Sequence, residues 1–256
     1  MTVPFIRWMN IVAFIAVIIV NWAAMALPLF GRDTGEISDL YPTAITPAGY
    51  AFSIWGIIYS LLIGFIVLQA LPRNAKQLEI SRIGPWFIIS SILNITWLVL
   101  WHALQITASV FVMIALFISL LIIYLRTRSS ERQGTWAMRV FVSGTWSIYL
   151  GWISVAMIVN ISVALFNLGW DGFGLRPDVW AMILLGIAGL LSWLMGRKFN
   201  DPFYGLVIAW ASIAVSVQHN EAYPTLALVG YVIASLIIIH AVYISKKSII
   251  LRSRSN

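Results

Sequence analysis

PAGYAFSIWGIIY (Pro47–Tyr59), SSILNITWLVLWH (Ser90–His102) and SIYLGWISVAMIVNISVALFN (Ser147–Asn167) are the stretches whose reading decides the fold. The first carries Phe52, Trp55 and Tyr59, and the second carries Asn94, Trp97 and Trp101. The third carries Tyr149, Trp152, Asn160 and Asn167. At about 100° per residue, each set falls within a sector of roughly 80° on one side of a helix. An amide is costly in a lipid-spanning helix and an indole is bulky, so three such faces point to an aromatic, weakly polar interior.

Everything around these stretches reads as membrane. The chain is 61% hydrophobic and only 10% charged, with mean hydropathy +0.92, far from a globular composition. Apolar runs near 20 residues predict eight spans, at about 8–29, 50–72, 84–103, 105–125, 137–166, 179–196, 203–218 and 225–245. None has Asp, Glu or Lys at its centre. The fold class expected is an all-α polytopic bundle of eight transmembrane helices.

The net charge of +7 is explained by topology rather than by a nucleic-acid partner. With eight crossings, one side receives Arg7, then Arg73, Lys76 and Arg82, then Arg126, Arg128, Arg132 and Arg139. Arg197, Lys198, Lys246, Lys247, Arg252 and Arg254 fall on the same side, which makes 14 of the 16 basic residues; Arg32 and Arg176 fall opposite. The positive-inside rule then puts both termini in the cytoplasm of a cell (plasma or inner) membrane. Asp33, Glu36, Asp39, Asp171, Asp178 and Glu221 lie on the outer side, where solvation accounts for them. Arg7, the apolar run from Ile11 and Ala24-Met25-Ala26 mimic a cleavable signal, but the run continues to Phe30 and reads as a retained helix. The absence of cysteine excludes disulfides, thiolate nucleophiles and thiolate metal sites.

Residues 1–168 hold all three aromatic faces and are read as one five-helix unit; residues 169–256 are read as a three-helix extension with a basic tail. The connection GWDGFGLRPD (Gly169–Asp178) reads as an ordered turn. The loop Gly31–Gly49 shows no helical or strand periodicity, and the Leu104-Gln105 turn makes the third and fourth helices antiparallel neighbours. Ala188, Ser192 and Gly196 form a small-residue stripe that admits another helix, within the chain or in a homodimer. Trp8, Trp86, Trp136, Trp193, Trp101, Trp170 and Trp180 lie at helix ends and read as interfacial belt residues. Trp55, Trp97, Trp146, Trp152 and Trp210 lie within spans. At 1.5 Å rise per residue, Trp55 is roughly 8 Å below the outer boundary, Trp97 and Asn160 about 9 Å, and Asn21 about 12 Å. Tyr59 and Asn94 are then near the midplane. These residues either line a chamber or fill the core, with the amides as glue worth about 1 kcal/mol each.

TPAGYAFSIWGIIY, LNITWLVLWH and IYLGWISVAMIVNISVALFN resemble, in order, the second, third and fifth helices of the TspO/MBR family of tryptophan-rich sensory and translocator proteins. The resemblance covers about residues 5–168. It implies a five-helix unit, a retained first helix, and a pocket for a tetrapyrrole or another hydrophobic ligand, lined by Pro47, Phe52, Trp55, Tyr59, Asn94, Trp97, Tyr149, Trp152, Ala156 and Asn160. Departures are Ala48 for a second proline, Ile148 for another, and Ile45 for a loop Trp associated with tetrapyrrole handling; the last implies weak porphyrin binding. Leu121, Tyr124 and Arg126 fit only a loose cholesterol pattern.

The leading functional expectation is therefore a membrane sensory or ligand-binding protein whose partners are lipid and a small hydrophobic ligand. A facilitator of an apolar molecule is the alternative; ion coupling is disfavoured because no intramembrane carboxylate is present. His102, His219 and His240 are scattered and offer no metal cluster, no nucleotide or nucleophile motif occurs, and the expectation is a non-enzyme. Light-dependent breakdown of a bound porphyrin is the enzymatic alternative that the resemblance leaves open.

Overall fold

The computed structural model describes residues 3–27, 31–74, 78–128 and 135–253. Phe30, Lys76, Arg132 and Arg254, used in the sequence argument, lie outside them. Among the described residues every regular element is helical. The chain runs α1 (Val3–Ala26), α2 (Thr34–Asp39), a 3-10 turn (Gly49–Ser53) leading straight into α3 (Ile54–Ala70), α4 (Leu78–Ile83), α5 (Trp86–His102) and α6 (Ile106–Arg128). It continues with α7 (Trp136–Asn167), α8 (Pro177–Phe199), α9 (Pro202–His219) and α10 (Pro224–Ser253).

Among the described residues, six helical runs are long and apolar enough to cross a membrane: α1, Gly49–Ala70, α6, α7, α8 and α10. The chain is thus a helical membrane bundle. The two remaining long helices are apolar α5, at 17 residues, and α9, at 18.

Local chemistry explains the helix ends. Proline opens α8, α9 and α10, where its missing N–H is no loss. The Asp201 side chain accepts from the Phe203 N–H and caps α9. Between α5 and α6 the Gln105 N–H returns to the Leu100 carbonyl at 2.9 Å, with Leu104 left-handed at φ 57°. This tight turn makes the two helices packed neighbours, as the sequence implied.

The 32-residue α7 contains a π-helical turn at Arg139–Gly144, after which Thr145–Asn167 is regular α-helix. The turn packs on α3 and α6. The ring of Phe141 lies so close to Gly64 that a Cβ there would overlap it.

Two compact units emerge. The first comprises Met1–Leu40 with Ser53–Asn160, and the second Tyr41–Phe52 with Ile161–Asn256. Within the second, the small-residue stripe of α8 faces its neighbours: a Cβ at Gly196 would meet His240 of α10, and one at Gly205 of α9 would meet Ser192. The 169–178 connection is ordered by a 3-10 turn at Gly172–Gly174, with the Trp180 Nε1–H donating to the Gly172 carbonyl at 2.7 Å.

The loop Gly31–Gly49 is not structureless, contrary to expectation. Asp33 and Glu36 form a reciprocal capping box that starts α2. Burial, then the nearby Asp33 and Glu36, pushes the Asp39 carboxyl above its usual range.

Candidate functional site

In the first unit, α3, α5 and α7 bring most of the expected residues together. Trp55 stacks on Tyr59, one turn along α3, with centroids 5.4 Å apart and planes 20° apart. The same indole meets two rings of α7 edge-on, Tyr149 at 5.8 Å and Trp152 at 6.5 Å. Tyr149 and Trp152 are buried, whereas Trp55 and Tyr59 are half-buried. Edge-to-face and offset contacts at these distances are the favoured geometries for aromatic pairs.

A polar network joins α5, α6 and α7 of the same unit. The Trp97 Nε1–H donates to Asn160 Oδ1 at 3.1 Å, and Asn160 Nδ2 donates to the Ser109 hydroxyl at 2.9 Å. Trp101 stacks on Trp97 at 5.9 Å and its Nε1–H reaches the Thr34 carbonyl of α2 at 3.2 Å. Trp101 is only 3% exposed, so it belongs to the bundle interior and not to an interfacial belt, because α2 covers the end of α5.

Deeper, Asn21 Nδ2 donates to Asn94 Oδ1 at 3.0 Å and to the Val17 carbonyl at 2.9 Å. Asn94 is fully buried, with its side-chain amide turned to the Tyr149 hydroxyl. A buried amide needs such partners, because burying it without them is costly.

The other expected residues are placed differently. Ala156 is half-buried one turn beyond Trp152. Asn167 is exposed at the end of α7, outside the cluster. Pro47 and Phe52 belong to the second unit.

In that second unit, α9 holds a non-helical segment. The Ala48 N–H donates to the Ala214 carbonyl at 3.1 Å, and the Trp210 Nε1–H donates to the Ala51 carbonyl at 3.2 Å. His219 Nε2 lies 3.0 Å from the Thr46 carbonyl, and Tyr50 packs edge-on to Trp210 at 5.2 Å.

A family model described as TSPO-like protein matches residues 7–243. The chain belongs to this family. No curated protein and no solved structure matches it. The match runs through α8, α9 and most of α10, well beyond the stretch of about 5–168 that carried the resemblance, so the C-terminal helices of this TSPO-like protein are part of its family pattern.

Several participants escaped sequence reasoning. Ser109 is one, since a serine in an apolar helix signals nothing by itself. A ring cluster nearer the opposite helix ends is another: Phe65, Phe87 and Trp146 meet pairwise at 5.2 to 5.7 Å. Asn10 Nδ2 also donates to Gln69 Oε1 at 3.0 Å, a buried pair between α1 and α3. The Asp33–Glu36 box also went unread, although its three-residue spacing is a capping signal.

Proposed function

We propose that the Trp55 cluster is the binding site of a small, ring-bearing hydrophobic ligand, and that this TSPO-like membrane protein is a sensory or ligand-binding protein, not an enzyme. One observation carries the reading. Trp55 touches three other rings and is still only half-buried, so part of its ring surface is left outside the packing. The Asn21–Asn94 pair and the Trp97–Asn160–Ser109 network add polar groups to the same unit. Apolar bodies with a few convergent polar groups are the usual makeup of small-molecule sites.

The contacting set is Trp55, Tyr59, Asn94, Trp97, Tyr149, Trp152, Ala156 and Asn160. A tetrapyrrole is the first ligand to test, by family resemblance, and Ile45 makes its binding weak. Protoporphyrin titrated into purified protein is expected to quench tryptophan fluorescence saturably. Absence of saturable quenching in folded protein, together with no ring-bearing molecule co-purifying by mass spectrometry, removes the reading.

The membrane arrangement that goes with this function has eight crossings, α5 and α9 included, with both termini in the cytoplasm of the cell membrane. The partition of basic residues supports it. Reporters fused to the C-terminus are expected to read cytoplasmic, and a tag in the 31–49 loop to be reachable from outside; a C-terminus on the outer side overturns the count.

A further inference from the structure

Residues 43–48 are buried without being helical. Such backbone is tolerated in an apolar surrounding only where protein supplies partners for its N–H and C=O groups. Some of that supply is internal: the Thr43 and Thr46 hydroxyls bond at 2.7 Å, the Thr46 N–H returns to Thr43, and the Ala51 N–H returns to Ala48. The rest comes from α9, through Ala214, Trp210 and His219. These anchors span roughly 14 Å of that helix at 1.5 Å per residue.

The holders and the held differ in burial. Thr46 is 3% exposed and Ala51 fully buried, whereas Trp210 is 36% exposed and His219 is half-buried. The two side-chain anchors are therefore partly at the surface while the backbone they grip is inside. Each is a single hydrogen bond worth about 1 kcal/mol, which can be broken without dismantling a packed core.

We propose that residues 41–52 are a releasable strap and that α9 is its holder. Ser53 directly follows the gripped segment and Trp55 comes two residues later, so any influence of the strap on Trp55 is tested through ligand affinity. Trp210 and His219 are positioning residues that touch no ligand. Only the consequence for ligand affinity rests on the ligand-binding reading; the strap itself does not.

The chain has no cysteine, so one introduced thiol is unique. Ile45→Cys, at a position 6% exposed, reports opening by its rate of maleimide labelling in purified protein. Glu221→Cys marks the exposed limit and Ala209→Cys the buried one. The strap predicts slow labelling at Ile45→Cys, about fivefold faster with Trp210→Phe or with His219→Ala, and more than tenfold faster with both. His219→Gln, which keeps a donor, is expected to restore the slow rate. Melting curves confirm that each variant is folded. Labelling as fast as Glu221→Cys from the outset, or unmoved by either substitution, overturns the proposal. Protoporphyrin affinity, read from its own absorbance, is expected to fall in Trp210→Phe. If no ligand binds the unaltered protein while labelling responds as stated, the ligand reading fails and the strap stands. If ligand binds and labelling is indifferent, the strap fails.

Discussion

The helices α3, α5 and α7 build two aromatic layers, and they differ in kind. One layer consists of Phe65, Phe87 and Trp146, each at most 2% exposed and each edge-on to the other two. The other consists of Trp55, Tyr59, Tyr149 and Trp152, with Asn94 at Tyr149 and with two of its rings half-buried. Both are clusters of rings contributed by more than one helix, so aromaticity alone does not mark a site. The proposed site, the open layer, differs from the closed layer in its residual exposure and in the amides that hydrogen-bond across its helices.

Substitutions that separate stability from binding test this contrast. Trp146→Ala is expected to have the largest effect, a loss of about 3–5 kcal/mol from the cavity left behind, read as a lowered melting temperature in detergent. Trp146→Phe is expected to cost far less, because the indole N–H has no hydrogen-bond partner among the described residues. Neither is expected to alter ligand affinity in protein that remains folded. If Trp146→Phe weakens binding as much as a change at Trp55 does, the two layers are one site.

Asn160→Ala is expected to come next. It strands the Trp97 N–H and one side of Ser109, at a cost of about 1–3 kcal/mol. Combining it with Trp97→Phe should cost less than the sum of the two, since both remove the same bond. Strict additivity in melting experiments would show that the bond contributes nothing. The smallest changes are Trp55→Leu and Trp152→Leu, each expected to weaken ligand affinity three- to tenfold, the worth of about 1 kcal/mol of ring contact. Unchanged titration curves for both would assign the open layer to packing as well.

The sequence made the open layer legible because Trp, Tyr and Asn stand out in an apolar helix and their spacing is periodic. Phe65 and Phe87 were illegible because phenylalanine in such a helix is indistinguishable from its neighbours. Trp101 was misread because a tryptophan at a helix end usually sits at the membrane surface, and only the covering α2 reveals otherwise. The proline starts of α8, α9 and α10 were readable one by one. The grip of Trp210 and His219 on the strap was not, because its acceptors are backbone carbonyls, which carry no residue signature.

The π-turn at Arg139–Gly144 has one more consequence. Its hydrogen bonds reach one residue farther than those of an α-turn, so it amounts to an α-helix with one residue added. A one-residue deletion inside it converts the turn to ordinary helix and leaves Tyr149, Trp152 and Asn160 in phase. The same deletion between Trp152 and Asn160 rotates amide from indole by about 100°. The turn is the point along α7 where the gene can change length without changing what the helix presents.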